Sequence, residues 1–233
     1  MDPVHQIIQD EKHGEDSLRV GILASASVGI MDAGCYVTRG KVFASSQTGN
    51  LLYLGMDIAN GDFSQILKYT FPVLLFVLGV VLGTHFHLHD DRKGWRIGPA
   101  LCEIVLILIA TMLPASWNAL ANPMFGLVCG LQAITFRRIH HIPLATVYLN
   151  GNLREAVERL VKYIHLRDSD DMYRFLLSII LVVTFLVNVI IGAFFAQFMT
   201  HYVTIIAALL LGVDVFIMMH DKAKHDHAEN TAS

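Results

Sequence analysis

Acidic and amide side chains inside long apolar runs are the residues of this sequence whose types could do chemistry. The acids are Asp32, Glu103 and Asp214, and the amides are Gln132 and Asn188. An ionisable group in the middle of a membrane helix costs about 2.5–3.5 kcal/mol on insertion scales, so it is a functional candidate by default. We predict that these side chains bind a small ion or a polar solute. The alternative is that they hydrogen-bond between helices and hold the bundle together. Glu103 and Asp214 lie near the cytoplasmic ends of their segments, so an ion pair at the interface is a further alternative for them.

Two short polar motifs interrupt the apolar sequence. SSQTGNLL occupies residues 45–52 and YLNGNL residues 148–153, so the glycines of their Gly-Asn pairs lie 102 residues apart (151 − 49). The residues around the first motif are too apolar for an ordinary external loop. Non-helical backbone is tolerated at membrane depth only where protein or a water-filled cavity satisfies it. Each motif therefore predicts a broken or re-entrant segment beside a polar cavity, with ordinary turns as the alternative.

Each motif is also predicted to begin a helix. Thr48 or Asn50 could cap the first helix by accepting from its free N–H groups. Asn152 and Glu155 resemble a capping box, which predicts an amphipathic helix over 153–164 at the cytoplasmic surface. The motif residues predicted to bind a solute or ion are Gln47, Thr48, Gly49, Asn50, Asn150, Gly151 and Asn152.

The sequence predicts neither a metal site nor a cofactor. Its three cysteines are widely spaced within apolar runs, which is typical of buried small side chains rather than of disulfides or zinc ligands. His85 and His89 would share a helix face, and the C-terminal tail carries further histidines. A metal site needs fixed geometry, so we interpret these as solvated interfacial histidines. With no nucleophile–base pair, phosphate loop, haem or flavin signature, we expect no enzyme activity.

The composition indicates a membrane protein. The 233 residues are 54% hydrophobic and only 16% charged, against about 25% charged residues in a soluble domain. The formal charge of −3 gives no indication of nucleic-acid binding. Crossing the bilayer takes roughly 20 mainly apolar residues in a helix. Six segments qualify: 18–37, 69–86, 97–115, 119–136, 175–196 and 202–219.

The basic residues predict the orientation of these segments. With six spans both termini share one face, which would hold 14 of the 17 lysines and arginines, whereas the other face keeps Arg39, Lys41 and Lys68. The excess of positive charge on cytoplasmic loops makes both termini cytoplasmic. The predicted location is therefore the plasma (inner) membrane, with polar, disordered tails at 1–17 and 220–233 around one membrane domain at 18–219.

The two halves of this domain carry similar features in the same order. A glycine precedes a polar residue at Gly29 and Asp32, and again at Gly130 and Gln132, and one acid closes each half. Halves of three spans, covering about 18–115 and 118–219, must enter the membrane from opposite sides, as in many secondary transporters. The predicted fold is an all-α membrane protein of six transmembrane helices in two inverted-topology three-helix repeats.

At these residues the chain resembles the YoaK-like family of small bacterial multi-pass membrane proteins of undetermined function. The second motif of that family usually has threonine before its glycine, where this chain has Asn150. The resemblance implies a six-span protein of the bacterial inner membrane, and it implies no substrate. The residues that carry it are Gly29, Asp32-Ala33, Val42-Phe43, Gln47-Thr48-Gly49-Asn50, Gly126, Gly130-Leu131-Gln132, Thr146 and Gly151-Asn152.

Taken together, these patterns predict a secondary transporter or channel for a small anionic or polar solute, proton-linked through Asp32. Two alternatives are a non-transporting membrane assembly or sensor protein and a membrane-embedded metal-dependent enzyme. The expected partners are the lipid bilayer and a small solute or ion. The Gly79-xxx-Gly83 spacing is typical either of helix packing within a bundle or of a homodimer contact.

Overall fold

Eight α-helices form the framework of the residues that this computed structural model describes, 14–89, 94–140 and 142–232. Short 3-10 turns precede α1, α3, α5 and α8, and the helices account for most of these residues. The helices are α1 (Leu18–Thr38), α2 (Gln47–Ala59), α3 (Ile66–His89), α4 (Ile97–Met112), α5 (Asn118–Thr135), α6 (Leu149–Leu166), α7 (Ser169–Met199) and α8 (Thr204–Ala232).

Most of each of the six predicted apolar segments lies in one α-helix, but fewer helices are long and apolar enough to cross a membrane. Within the described residues three runs pass, Leu18–Thr38, Ile66–His89 and Ser169–Lys224. The pair α4 and α5 passes only together, bent by 118° at its break, as a broken span or a re-entrant loop. The 16 residues of α4 reach about 24 Å at 1.5 Å per residue, less than a hydrocarbon core of about 30 Å. The structure therefore supports three or four spans, and six remain a prediction.

The long run Ser169–Lys224 is divided at Thr200, whose φ of 52° lies in the left-handed region. This residue ends α7, and a 3-10 turn leads into α8. Helix α8 then continues through the residues where the sequence predicts a polar tail, as far as Ala232.

Helix α1 is the central helix of the bundle. Of its apolar window 78% is buried, against 22% for the other two long runs. Small residues allow α7 and α8 to approach it on different sides. Ser25 Oγ donates to the Leu181 carbonyl and Ser27 Oγ to the Ala207 carbonyl, each at 3.2 Å. Close contact through small and hydroxyl residues is the usual basis of helix association in lipid.

Helices α3 and α5 also cross through glycines. A Cβ at Gly126 would meet the Pro72 carbonyl oxygen, and one at Gly130 would meet that of Phe76. A Cβ at Gly79 would meet the backbone of α5 at Gly130. The Gly79-xxx-Gly83 spacing therefore serves packing within the chain, the first of the two uses that the sequence left open.

The remaining outer surface of α3 and α7 is apolar. The exposed side chains recur every three or four residues, as expected for one helix face in contact with lipid. They include Leu74, Val77 and Val81 on α3, and Leu186, Ile190, Phe194 and Phe198 on α7. Cys102 on α4 is also exposed, contrary to the prediction that all three cysteines are buried.

The two helices that follow the polar motifs begin earlier than the sequence predicts. Helix α6 starts at Leu149, so Asn152 lies within its first turn, and Glu155 binds Arg159 at 2.7 Å instead of reaching back to a cap. Helix α2 starts at Gln47, and its cap residue Ser46 makes no side-chain capping bond. The capping roles assigned to Thr48, Asn50 and Asn152 are therefore wrong, because the asparagines bind loop backbone instead.

Candidate functional site

A cavity of about 600 Å³ lies where the two polar motifs meet. This volume is within the range of about 300–1,000 Å³ that is typical of small-molecule sites. Residues 45–48 of the first motif line it together with Val147 and residues 148–151 of the second motif. Helices α1, α3 and α7 supply the rest of the lining: Asp32, Ala33, Tyr36, Val37, Phe76, Phe185, Val189 and Ala193, with Phe43 from the loop before α2.

Asp32 holds the first motif in place. The Ser45 N–H donates to Oδ1 at 2.8 Å, and the Ser45 hydroxyl donates to Oδ2. The backbone N–H groups of Ala44 and Ser46 also face this carboxylate. Asp32 is only 5% exposed although it borders the cavity. Its acceptors are thus occupied by the chain, which gives Asp32 a positioning role in this conformation.

Asn50 fixes the same loop from the other side. Its Oδ1 accepts from the Phe43 N–H at 3.0 Å, and its Nδ2 donates to the Phe43 carbonyl at 2.9 Å and to Gln47 Oε1 at 3.0 Å. The Gln47 amide in turn donates to the Ala44 carbonyl at 2.8 Å. Asn50 is fully buried and lies behind the cavity wall, whereas Gln47 and Thr48 line the cavity.

The second motif repeats this geometry. Asn152 Nδ2 donates to the Ala145 carbonyl at 2.9 Å, seven residues back, as Asn50 does to Phe43. Each asparagine is the fourth residue of its helix, and the residues before the helices, Ser46 and Tyr148, have ψ angles of 75° and 71°. Asn150 and Gly151 line the cavity, and Asn152 is buried behind it.

The other predicted site residues do not line the cavity. Gln132 Nε2 donates to the Ala24 carbonyl at 3.0 Å, and Asn188 Nδ2 donates to the Thr184 carbonyl at 2.9 Å. Gly49 lies under the Phe43 ring, where a Cβ would approach within 2.8 Å. Glu103 on α4 and Asp214 on α8 are fully buried, Glu103 accepts from Thr135 of α5 at 3.0 Å, and neither acid lines the cavity.

The first turns of α2 and α6 both contribute residues to the cavity wall, so the partial positive charge of two helix N-termini lies beside the cavity. The described residues that line the cavity include one acid, Asp32, and no lysine or arginine. The cavity can therefore offer N–H, hydroxyl and amide groups to a solute that carries hydrogen-bond acceptors.

Aromatic residues supply much of the remaining wall, and sequence reasoning missed them. They are Tyr36, Phe43, Phe76, Tyr148 and Phe185. An aromatic residue in an apolar segment has the same signature whether it faces lipid, core or cavity. Only the position of Tyr148 beside the second motif could have indicated its role.

No group of three or more histidine, cysteine, aspartate or glutamate side chains that could hold a metal ion occurs in the part of the chain that the structure describes. The rings of His85 and His89 lie 4.1 Å apart between centroids, beside one another on α3 as predicted. Of the tail histidines that could have added ligands, His220, His225 and His227, the first is exposed on α8 beside Asp221, and the side chains of the other two lie outside the described part of the chain.

Comparison with known proteins gives one match. A family model described as "Protein of unknown function (DUF1275)" matches residues 20–217, which is nearly the whole membrane domain. No curated protein and no solved structure matches the chain. Since this match covers far more than half of the sequence, the chain belongs to the DUF1275 family of proteins of unknown function.

Proposed function

We propose that this protein is a secondary transporter or channel that binds a small anionic or polar solute in the cavity between the two motifs. One observation carries the proposal. The cavity is lined by residues 45–48 and by the residues 102 positions further along the chain, 147–150. Two corresponding helix breaks on one cavity are the arrangement from which transporters with inverted repeats build a solute site.

Helix packing supports the inverted repeat and the six-span topology that we propose with it. Gly29 approaches the Phe185 carbonyl, and Gly126 approaches that of Pro72. The two contacts correspond between the halves. The glycines differ by 97 positions (126 − 29), and the residues whose carbonyls they approach differ by 113 (185 − 72). The same two offsets relate the approach of Gly192 to Ala33 with that of Gly79 to Gly130.

This register also changes which residues correspond between the halves. An offset of 97 pairs Asp32 with Cys129, not with Gln132 as the sequence motifs suggest. Only the first half then carries an acid at the cavity. The two halves are proposed to be alike in backbone and different in charge.

The cavity wall supports the chemical class of the solute. Two helix N-termini favour an anion or the negative end of a dipole. The Asp32 carboxylate opposes an anion, although the donors of Ser45 offset part of its charge. Aromatic side chains opposite the motifs suit an apolar portion of the same molecule. We therefore propose a small solute with an anionic or neutral polar group and an apolar part.

The hypothesis that Asp32 carries a proton during transport stays a prediction, as do the YoaK-like resemblance, the inner-membrane location and the cytoplasmic termini. The alternative of an assembly or sensor protein differs in one respect that can be measured, because it does not need water to reach the cavity. A membrane-embedded enzyme would need Asp32 and Glu103 to converge on one cavity. Asp32 borders the cavity, whereas Glu103 and Asp214 lie away from it.

Thiol labelling tests the proposed function without knowledge of the solute. In a Cys102→Ser background, Thr48→Cys and Asn150→Cys would be treated with a charged, membrane-impermeant thiol reagent on one side of sealed vesicles at a time. Both cysteines should react with the reagent. Depending on the conditions, the reagent should reach them from one side of the vesicle membrane or from the other. Val81→Cys, on the lipid-facing surface, is the matched control and should not react. Protection of both motif positions from both sides would favour a structural role.

A set of size-matched probes tests the sign of the solute. Acetate, acetamide and ethylammonium have similar size and differ in charge, so their effects on the Tm of the purified protein can be compared directly. A ligand that binds only the folded state raises the Tm with its concentration. Acetate or acetamide should stabilise, and Thr48→Val should remove the effect. Stabilisation by ethylammonium alone would reverse the assignment.

A further inference from the structure

Two acids in the core between α4, α5 and α8 keep carboxyl oxygens without partners. Glu103 and Asp214 are both 0% exposed. Thr135 Oγ1 donates to Glu103 Oε1 at 3.0 Å, while Glu103 Oε2 and both oxygens of Asp214 have no hydrogen-bond partner among the described residues. Buried polar groups in proteins are nearly always satisfied. Three unsatisfied carboxyl oxygens in one cluster therefore point to something that they bind.

Helix register places the two carboxyls at one level. Thr111 Oγ1 and Thr204 Oγ1 lie 2.6 Å apart and fix the contact between α4 and α8. Glu103 precedes Thr111 by 8 residues and Asp214 follows Thr204 by 10, which puts both about 12–15 Å along the same direction at 1.5 Å per residue. Glu103 also acts electrostatically on Asp214. We call these two residues the carboxyl pair.

No cation balances the carboxyl pair in the described part of the chain. The ion pairs there do not include either residue. Arg39 binds the Ala110 carbonyl at the C-terminal end of α4, away from the pair. Arg96, which precedes α4, is paired with Asp16. The remaining titratable groups on the elements packed around the pair lie at these places: Arg19 at the start of α1, with Asp32, Cys35 and Tyr36 further along it; Cys102 on α4 and Cys129 on α5; Glu15 and Asp16 before α1; His201 and Tyr202 before α8; and His220, Asp221, Lys222 and Lys224 on α8.

Energetics decide what the carboxyl pair binds. Burying an unpaired ionised carboxylate costs several kcal/mol, and a second like charge beside it adds repulsion. The pair must therefore take up a cation, and the smallest is a proton. Among the described residues the Thr135 hydroxyl is the oxygen that binds the pair, whereas a metal cation needs several oxygen ligands. Asp32 differs, because Ser45 already satisfies its carboxylate.

We propose that the carboxyl pair is a proton-binding site, in which the two acids hold at least one proton between them. The proton adds to a carboxyl oxygen and leaves from it, and no other bond of the chain changes. The coupling of this step to solute movement rests on the proposed transporter function. The presence of bound protons does not, so the two can fail separately.

Infrared spectroscopy tests the protonation of the carboxyl pair in the purified full-length protein. At pH 7 the wild type should show the carbonyl stretch of a protonated carboxyl, and this band should shift in D2O. In an Asp32→Asn background, which removes the buried acid beside the cavity, Glu103→Gln or Asp214→Asn should remove part of the band, and the double variant should remove most of it. Glu158→Gln is the control, because Glu158 is exposed and paired with Lys162 at 2.8 Å, and it should leave the band unchanged. A wild type without the band would overturn the proposal, as would a full band in the double variant.

A sodium comparison and a labelling assay complete the test. If the pair held a metal cation instead, the wild type would lack the band and its Tm would rise with sodium chloride but not with choline chloride, which also overturns the proposal. For coupling, labelling of Thr48→Cys should vary with pH relative to the exposed reference Asn60→Cys. In the Glu103→Gln/Asp214→Asn background this variation should disappear. Unchanged pH dependence in that background would refute the coupling alone.

Discussion

Asp32, Asn50 and Asn152 use their polar atoms to hold backbone at the two helix breaks. Asp32 accepts from two donors of Ser45, and each asparagine donates to a carbonyl seven residues back. Backbone that leaves a helix inside a bilayer must find partners in the protein, because no water is available there. Polar residues in an apolar chain can thus be required for the shape of a cavity without touching its contents.

Asp32→Asn should lower the free energy of unfolding by about 1–3 kcal/mol, because the new amide group faces the Ser45 donors and leaves one of them unsatisfied. The measurement is denaturant unfolding of the purified protein in detergent. Combining the change with Ser45→Ala gives a double-mutant cycle, which should show a coupling of at least about 0.5 kcal/mol. Additive effects would contradict the contact. Proton-linked uptake that survives in Asp32→Asn would show that Asp32 is structural.

The Arg39 side chain is buried, with 1% of it exposed, and it connects the end of α1 to the end of α4 and to the start of α5. Its Nη2 donates to the carbonyls of Ala110 at 2.8 Å and Leu113 at 3.1 Å, and its Nη1 donates to Asn118 Oδ1 at 3.0 Å. Asn122 donates to the Arg39 carbonyl at 2.9 Å. The guanidinium therefore satisfies the last carbonyls of α4, where the helix dipole also favours a positive charge.

Arg39→Lys should cost about 2 kcal/mol of unfolding free energy, because one ammonium group cannot replace a planar fork that reaches several acceptors. Arg154→Lys, on the exposed side of α6, is the matched control and should change stability by less than about 0.5 kcal/mol. Both variants would be compared by chemical denaturation. Equal stability of the two lysine variants would contradict the role of Arg39.

At the scale of elements, the two helix breaks share a backbone geometry but differ in how well each is held. Among the described residues the side chain of Asn50 makes three hydrogen bonds, whereas that of Asn152 makes one. Asn50→Ala should therefore destabilise the protein more than Asn152→Ala, by about 2–3 kcal/mol against about 1 kcal/mol. Hydrogen exchange at residues 43–50 and 145–152 would locate each loss. Equal effects of the two changes would contradict this difference.

The crossing of α3 and α5 depends on glycine. A Cβ at Gly130 would collide with backbone of α3 at Phe76 and Gly79, which cannot rotate away. Gly130→Ala should therefore force the two helices apart and lower the free energy of unfolding by about 3 kcal/mol. This is several times the effect of a typical surface substitution. Gly55→Ala is the control, since nothing lies within 4 Å of the added carbon. It should raise stability by about 0.5–1 kcal/mol through helix propensity. The order of the two melting temperatures tests the contact.

At the scale of the whole molecule, the central question is how many times the chain crosses the membrane. Length and apolar composition give three spans, or four with the bent pair, whereas the segregation of basic residues predicts six. Reporter fusions after Ser116 and after Lys162 distinguish these. The six-span topology places the first outside and the second inside. A fusion after Ser116 that reports inside would support the re-entrant reading of α4 and α5.

The positions of the helices could be predicted from the sequence, because they depend on local apolar runs. Most of each predicted apolar segment lies in a helix, and both polar motifs mark places where the chain leaves one helix and enters another. The starts of α2 and α6 could not be predicted. They are set by bonds from Asn50 and Asn152 to loop backbone, and the same residue types also serve as caps.

The sequence by itself determined that the helices are apolar enough for a membrane and that the two polar motifs break the helical chain. Both follow from residue type and order along the chain. Only the tertiary structure decided what the polar residues do. It brought residues 45–48 and 147–151 to one cavity, although they are about 100 positions apart in the chain, and it took Gln132, Asn188 and the carboxyl pair away from that cavity. An acid has the same signature in an apolar helix whether it faces a cavity, a serine or another acid. The distinction depends on which helices are neighbours, and that is set by glycine contacts between distant segments.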